Sequence, residues 1–293
     1  GGTKAATGNA SYGYWGGGYP LKSNISRLDY SNDSSNTVDK GPLSAAANQF
    51  GAFGDTSYGY WAGGWNPGPN ISTVSRLDFS DDTTTAVAKG PLGTAVREHG
   101  GNSSRSNALT GSPTFIPRIR WVDSAAEASA SVAGPNTGYW SGGYSGGGTS
   151  YVSRIDFDND TATATPKGPL ATSVWDHAAT SIQSYGYHGA GDSGPTGYLT
   201  TVNRIDYSND TPTPATKGPL SVARRGLGAT GNLSYGYFWT GYSSSIVDRI
   251  DFSNDTATAS GLQPSQPGPG ASGTGNTSYG YFNVGNSKST VER

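Results

Sequence analysis

Short runs in which apolar and polar positions alternate strictly, each closed by Gly, Asn or Asp, follow one another along the chain. Such period-two runs read as half-buried strands, because successive side chains of a strand point to opposite faces. The 3.6-residue period of an amphipathic helix is absent. In Val152-Ser153-Arg154-Ile155-Asp156-Phe157, the residues Val152, Arg154 and Asp156 share one face, and Ile155 and Phe157 the other. Tyr12-Gly13-Tyr14 sets two rings on one face, and its glycine leaves the other flat enough for a neighbouring sheet. Ser208 to Thr211 and Ser253 to Thr256 both read Ser-Asn-Asp-Thr, whose short polar side chains close tight turns. A Thr/Ala/Val-rich run such as Thr83 to Ala88 completes a hairpin, and an Ala/Gly run such as Leu227 to Thr230 forms a fourth strand.

These strands belong to a repeat. Ser11-Tyr12-Gly13-Tyr14-Trp15-Gly16-Gly17 returns as Ser57 to Gly63 and Thr137 to Gly143, with further copies beginning at Ser184, Ser234 and Ser278. The Arg of the second phrase stands at 27, 76, 154, 204, 249 and 293, and a degenerate copy, Ile116-Pro117-Arg118-Ile119-Arg120-Trp121, fills the one long gap. A third phrase, Lys-Gly-Pro-Leu, begins at Lys40, Lys89, Lys167 and Lys217. Seven units of four strands, each about 45 residues long, predict an all-β propeller. The expected blades span about 5–44, 47–93, 97–130, 131–171, 177–221, 226–262 and 270–293, in a single domain covering 1–293. The third unit is the outlier, without Tyr-Gly-Tyr or Lys-Gly-Pro-Leu, and the last blade is incomplete. With no Met, and with a C-terminus inside a repeated phrase, the chain reads as a fragment of a longer one.

The units resemble kelch repeats, in which an apolar strand ends in Gly-Gly, an acidic-aromatic pair and a hairpin follow, and a Pro-containing segment often carries Arg. Tyr14 to Gly17, Asp29-Tyr30, Ser31 to Asp33 and Lys40 to Leu43 correspond to these marks, and Pro219 with Arg224 matches the last. The resemblance covers nearly the whole chain and implies a seven-bladed kelch-like β-propeller with four-stranded antiparallel blades. The outer strand departs from it, being Thr- and Ala-rich where the family has Trp. The uniformity of the units also resembles repeat proteins of marine bacteriophages, in which such arrays look like particle or tail appendages.

Composition narrows the chemistry. The formal net charge is −2 with 14% charged residues, so no basic field draws nucleic acid or an anionic membrane. No apolar run reaches the length of a membrane-spanning helix. The absence of Cys removes disulfides and thiolate chemistry, including the Cys-Tyr cross-link that copper radical oxidases of kelch-like fold require. No cofactor or metal is expected. Asp29, Asn32 and Asp33 offer oxygen ligands, but their spacing lacks a distal bidentate Glu and reads as a hydrogen-bonded turn. His99, His177 and His188 show no metal-ligand spacing, and no motif ties a nucleophile to Asp176-His177, the best general-base candidate. Asn-x-Ser/Thr triplets, among them Asn159, Asn209 and Asn254, follow from the turn chemistry of the repeat.

Two sets of residues stand out. The pairs Arg27/Asp29, Arg76/Asp78, Arg154/Asp156, Arg204/Asp206 and Arg249/Asp251 recur in too many units for a catalytic site and are expected to join blades. Trp15, Trp61, Trp140 and Trp239 beside Gly-rich loops are candidates for stacking on a sugar face, or else for packing between blades. The expected function is a non-catalytic structural and adhesive module on the outside of a particle or cell, such as a virion fibre or decoration. Its partners would be other structural proteins of that surface, and glycans, with no nucleic acid and no membrane insertion. The alternatives are a glycan-binding lectin and a glycan-active enzyme using Asp176/His177 or a carboxylate pair in the third unit.

Overall fold

The computed structural model describes residues 4–104, 136–242, 244–262, 268, 270–283 and 291–292. The first blade is an antiparallel meander of β1 (Ala5–Gly8), β2 (Tyr12–Gly16), β3 (Ile25–Asp29) and β4 (Val38–Lys40). The second repeats it with β5 (Gly51–Gly54), β6 (Tyr58–Ala62), β7 (Val74–Asp78) and β8 (Val87–Lys89). The third uses β9 (Gly100–Ser103), β10 (Thr137–Ser141), β11 (Val152–Asp156) and β12 (Thr165–Pro166). The fourth is β13 (Ala178–Ser181), β14 (Tyr185–Gly189), β15 (Val202–Asp206) and β16 (Ala215–Lys217). The fifth is β17 (Gly228–Gly231), β18 (Tyr235–Trp239), β19 (Val247–Asp251) and β20 (Ser260–Leu262). A three-stranded sheet follows, of β21 (Ser272–Gly275), β22 (Gly280–Asn283) and β23 (Val291–Glu292). The inner strands β1, β5, β9, β13, β17 and β21 succeed one another around an axis and return to β1.

The protein is therefore a β-propeller of four-stranded antiparallel blades, but among the described residues five such blades and one three-stranded sheet are formed, not seven. The correction falls on the third unit. β9 pairs directly with β10, Gly138 opposite Ser103 and Ser141 opposite Gly100, so the described strand of the expected blade 97–130 belongs to the same sheet as the expected blade 131–171. Residues 105–135, with the degenerate copy at Arg118, lie outside the described residues and enter where other blades have a tight turn between first and second strands. There Asn9 N–H donates to the Tyr12 carbonyl, and Ser104 N–H donates in the same way to Thr137. The outer strands are also shorter than Thr83 to Ala88 suggested, with β8 starting at Val87, and Lys40, Lys89 and Lys217 each form the last residue of an outer strand.

Consecutive blades are joined by one repeated contact. Asp82, in the turn after β7, takes the Tyr14 hydroxyl at 3.0 Å, the Arg27 guanidinium at 2.7 Å and the Lys40 ammonium at 3.0 Å, all from the first blade. Its main-chain carbonyl accepts Gly41 N–H at 2.8 Å. The glycine of Lys-Gly-Pro-Leu is required here, since a Cβ on Gly41 would lie 1.8 Å from the Thr84 carbonyl oxygen. Tyr60, Arg76 and Lys89 converge identically on Asp160, Tyr139, Arg154 and Lys167 on Asp210, and Tyr187, Arg204 and Lys217 on Asp255. Beneath each carboxylate the Tyr ring stacks on the next blade's aromatic, as Tyr14 on Phe79 and Tyr139 on Tyr207, both at 4.8 Å. The ring closes by the same device, with Tyr281 donating to Asp33 at 3.0 Å and stacking on Tyr30 at 4.7 Å.

Candidate functional site

The Arg-x-Asp phrases divide their work. Arg27, Arg76, Arg154 and Arg204 do join blades, but their acceptors are Asp82, Asp160, Asp210 and Asp255, not the Asp two residues on. Asp29, Asp78, Asp156, Asp206 and Asp251 instead each accept the N–H of the residue two positions further on, capping their own turn. Hydroxyl and amide donors of Ser31 hold the Asp29 carboxyl below the usual aspartate range. Arg249 lies over the Tyr235 ring at 4.6 Å. Burial opposes the charge on Asp82 and Asp255, yet the Lys, Tyr and Arg donors together hold both carboxyls below the ordinary value. Asp82, Asp160, Asp210 and Asp255 carried a signal: they recur one blade out of step with the four Lys-Gly-Pro-Leu copies that they bind.

Trp15, Trp61 and Trp140 are buried between blades. Trp61 donates to the Ala5 carbonyl at 3.1 Å and Trp140 to Gly51 at 3.4 Å. A Cβ on Gly16 would lie 2.7 Å from the Trp61 indole nitrogen, which is why that strand ends in glycine. Trp239 is half-buried and stacks on Phe282 at 4.3 Å. Three of the four indoles thus have no face to offer a sugar.

The histidines also point inward. The Ser141 hydroxyl bonds His188 Nδ1 at 2.5 Å and His177 Nε2 at 3.1 Å, and Asn102 reaches His188 Nε2 at 2.8 Å. All four side chains are buried between the third and fourth blades. Burial lowers the His177 imidazole to about 4 and His99 to about 3, so both are neutral at pH 7. His177 is buried, with its side chain among those that line the small cavity on the axis. Among the described residues no three metal-ligating side chains come together.

The group of polar and aromatic side chains that solvent can reach gathers at the loop end of the ring, where each inner strand begins. Gln49, Glu98 and Asp176 have φ of 62°, 56° and 54° at positions that Gly226 and Gly270 fill in later blades. A left-handed backbone costs a residue with a Cβ of order 1 kcal/mol or more. A chain of hydrogen bonds imposes it: Glu98 N–H donates to Gln49, Asp176 to Glu98, Gly226 to Asp176 and Gly270 to Gly226. These residues, with Lys4, line a cavity of about 60 Å³ at the mouth of the axis. Burial, then the Glu98 carboxylate, push the Asp176 carboxyl up to about 7 against the pull of Arg225. Burial likewise raises Glu98.

Outside this mouth Arg225 bonds Asp192 at 3.1 Å, lies 3.8 Å from Asp176, and faces the rings of Tyr242 at 4.8 Å and Tyr198 at 5.5 Å. Tyr198 and Tyr242 are 39% and 40% exposed, enough for one ring face to meet a ligand. Beside them Arg97 covers Tyr144, which meets Trp175 edge-on at 5.7 Å. Sequence reasoning missed this cluster: Tyr144, Asp192 and Tyr242 each follow the Gly-Gly position of their repeat and Arg97, Trp175 and Arg225 each precede its left-handed residue, but the residue type there changes from unit to unit. No protein-family model matches the chain, and no curated protein does.

Proposed function

We propose that this protein is a non-catalytic, kelch-like adhesive module on the outside of a particle or cell, such as a virion appendage, and that it engages glycans through its loop end. The observation that carries this reading is the cluster around Arg225. Five blade junctions repeat one tyrosine-carboxylate contact, as a rigid scaffold needs, whereas the loop end varies from blade to blade and leaves tyrosine faces beside a guanidinium and carboxylates. Flat rings stack on the apolar face of a pyranose, while charged and amide groups bind its hydroxyls. The burial of Ser141, His177 and His188 speaks against hydrolysis by a serine or histidine. Binding to a broad glycan array tests the proposal: Tyr198→Ala and Tyr242→Ala should each abolish a signal that Trp61→Ala, if folded, keeps. An intact protein that binds no glycan on the array would overturn it.

A further inference from the structure

Arg97 and Arg225 hold equivalent positions at the loop end of the third and fifth blades. Each stands one residue before a left-handed residue, Glu98 or Gly226. Each guanidinium lies 4.8 Å from the ring of the tyrosine after its own blade's Gly-Gly position, Tyr144 or Tyr242. Their counter-charges differ. The preceding blade gives Arg225 two carboxylates, Asp192 at 3.1 Å and Asp176 at 3.8 Å. The same two positions in the blade before Arg97 are filled by Trp65 and Gln49, and neither side chain carries a charge. The Glu98 carboxylate is turned aside to accept the Gln49 amide. Among the described residues the Arg97 guanidinium forms no ion pair and no hydrogen bond, and its Nε is buried without an acceptor.

Backbone bonds set Trp65 beside this guanidinium. Gly64 N–H donates to the Val96 carbonyl at 2.8 Å, the counterpart of the bond at 2.9 Å from Gly191 to Arg224 that brings Asp192 to Arg225. Trp65 is only partly buried. Where Arg225 meets the Asp192 carboxylate, Arg97 therefore meets a flat ring and no anion. A planar guanidinium takes a carboxylate through two parallel N–H bonds, and an indole face stacks on a pyranose. A sugar whose carboxylate is attached to its ring, as in uronic and sialic acids, offers both partners at once. The subsite is continuous with the cluster around Arg225: Tyr144 meets Trp175 edge-on, and Trp175 and Asp192 exchange backbone hydrogen bonds of 3.0 and 2.9 Å.

We propose that the glycan is acidic, and that Arg97 with Trp65 forms the subsite that selects its charge. The sugar carboxylate takes on Arg97 the place that Asp192 has on Arg225, the pyranose lies on Trp65, and the rest of the chain runs past Tyr144 and Trp175 to Tyr198 and Tyr242. Arg225, already met by two carboxylates, adds no selection for an anion. This inference rests on the glycan reading of the loop end and adds to it the class of sugar and the residue that chooses it.

The probes are matched pairs on one glycan array: sialylated lacto-N-tetraose beside lacto-N-tetraose, and hexagalacturonate beside its methyl ester. The whole chain should bind the acidic member of at least one pair about tenfold or more tightly than its neutral counterpart, as a charge-assisted hydrogen bond implies. The pair that responds tells sialate from uronate. Arg97→Gln, which removes a guanidinium that bonds nothing in the free chain, should melt like the parent and bring the acidic member down to the level of the neutral one, while Arg97→Lys keeps part of the preference. Equal binding of acidic and neutral members, or a preference that survives Arg97→Gln, would overturn this inference and leave glycan binding through Tyr198 and Tyr242 standing. Binding of no glycan at all would overturn both.

Discussion

Arg76 donates to Asp160 at 2.6 Å, across 84 residues of chain. The equivalent pairs Arg27–Asp82, Arg154–Asp210 and Arg204–Asp255 span 55, 56 and 51 residues. The excess is the stretch inserted between Ser104 and Asn136, so one contact decides both the order of the blades and their number.

Each clamp carboxylate serves three donors, so removing it strands more than removing any one donor. Asp210→Ala leaves Tyr139, Arg154 and Lys167 without an acceptor and should cost about 3–5 kcal/mol, as breaking a buried ion pair does. Arg154→Ala, at a side chain 33% exposed, should cost about 1 kcal/mol. Urea unfolding of the two variants should show that ordering, and equal losses would contradict a shared acceptor.

The insertion should be dispensable for folding. Replacing residues 105–135 by one alanine joins Ser104 to Thr137 through Ala-Asn136, the length of turn that joins Asn9 to Tyr12. The shortened chain should keep the strand-rich circular dichroism spectrum and a melting temperature within a few degrees of the parent. Loss of cooperative melting would mean that the third blade depends on the inserted stretch.

Two sets of carboxylates should give stability opposite pH dependences. Asp82 and Asp255 have lowered folded pKa values, so their contribution is complete above the unfolded aspartate pKa and is lost as pH falls through the folded one. Asp176 is raised to about 7, so its penalty is absent below about pH 4 and complete above about pH 7. Glu98, Asp192, Arg225 and Lys4 surround it. Asp176→Asn should therefore melt higher than the parent at pH 8 and equally at pH 4. A gain of the same size at both pH values would contradict the raised pKa.

Stability and recognition should separate cleanly among the aromatics. Trp140→Ala empties a buried site between blades and should cost about 3–5 kcal/mol. Tyr198→Ala, at an exposed loop, should change stability by under about 0.5 kcal/mol. Thermal melts of the two variants check this, and comparable losses would place Tyr198 in the framework.

The repeat was legible because each unit must bury the same tyrosine and apolar strand face, which period-two alternation writes directly into the chain. Gly13 was legible as a close approach for the same reason, whereas those of Gly16 and of the glycine in Lys-Gly-Pro-Leu show only in the fold. The count was not, because Ile116 to Trp121 carries the local sequence pattern of a third strand, while membership of a sheet is decided by which distant strand a segment meets. The partner of Arg27 was not legible either: Asp29 is nearest in sequence, but the turn after β3 uses it as a cap, and the next blade brings Asp82 into reach. Trp15, Trp61 and Trp140 looked alike as ligand or packing residues, since only burial distinguishes a ring facing a sugar from one facing the next sheet. The Arg225 cluster uses recurrent positions of the repeat, but their residue types change from unit to unit, so no phrase marked it.

The claim most exposed to test is that the second blade abuts the sheet built from β9 and β10, with no blade between them. A double-mutant cycle on Arg76 and Asp160, read by urea unfolding, measures that contact across the insertion. The expected coupling is about 0.5–1 kcal/mol, as for an ion pair whose Arg is 24% exposed. A coupling within error of zero would contradict this blade order.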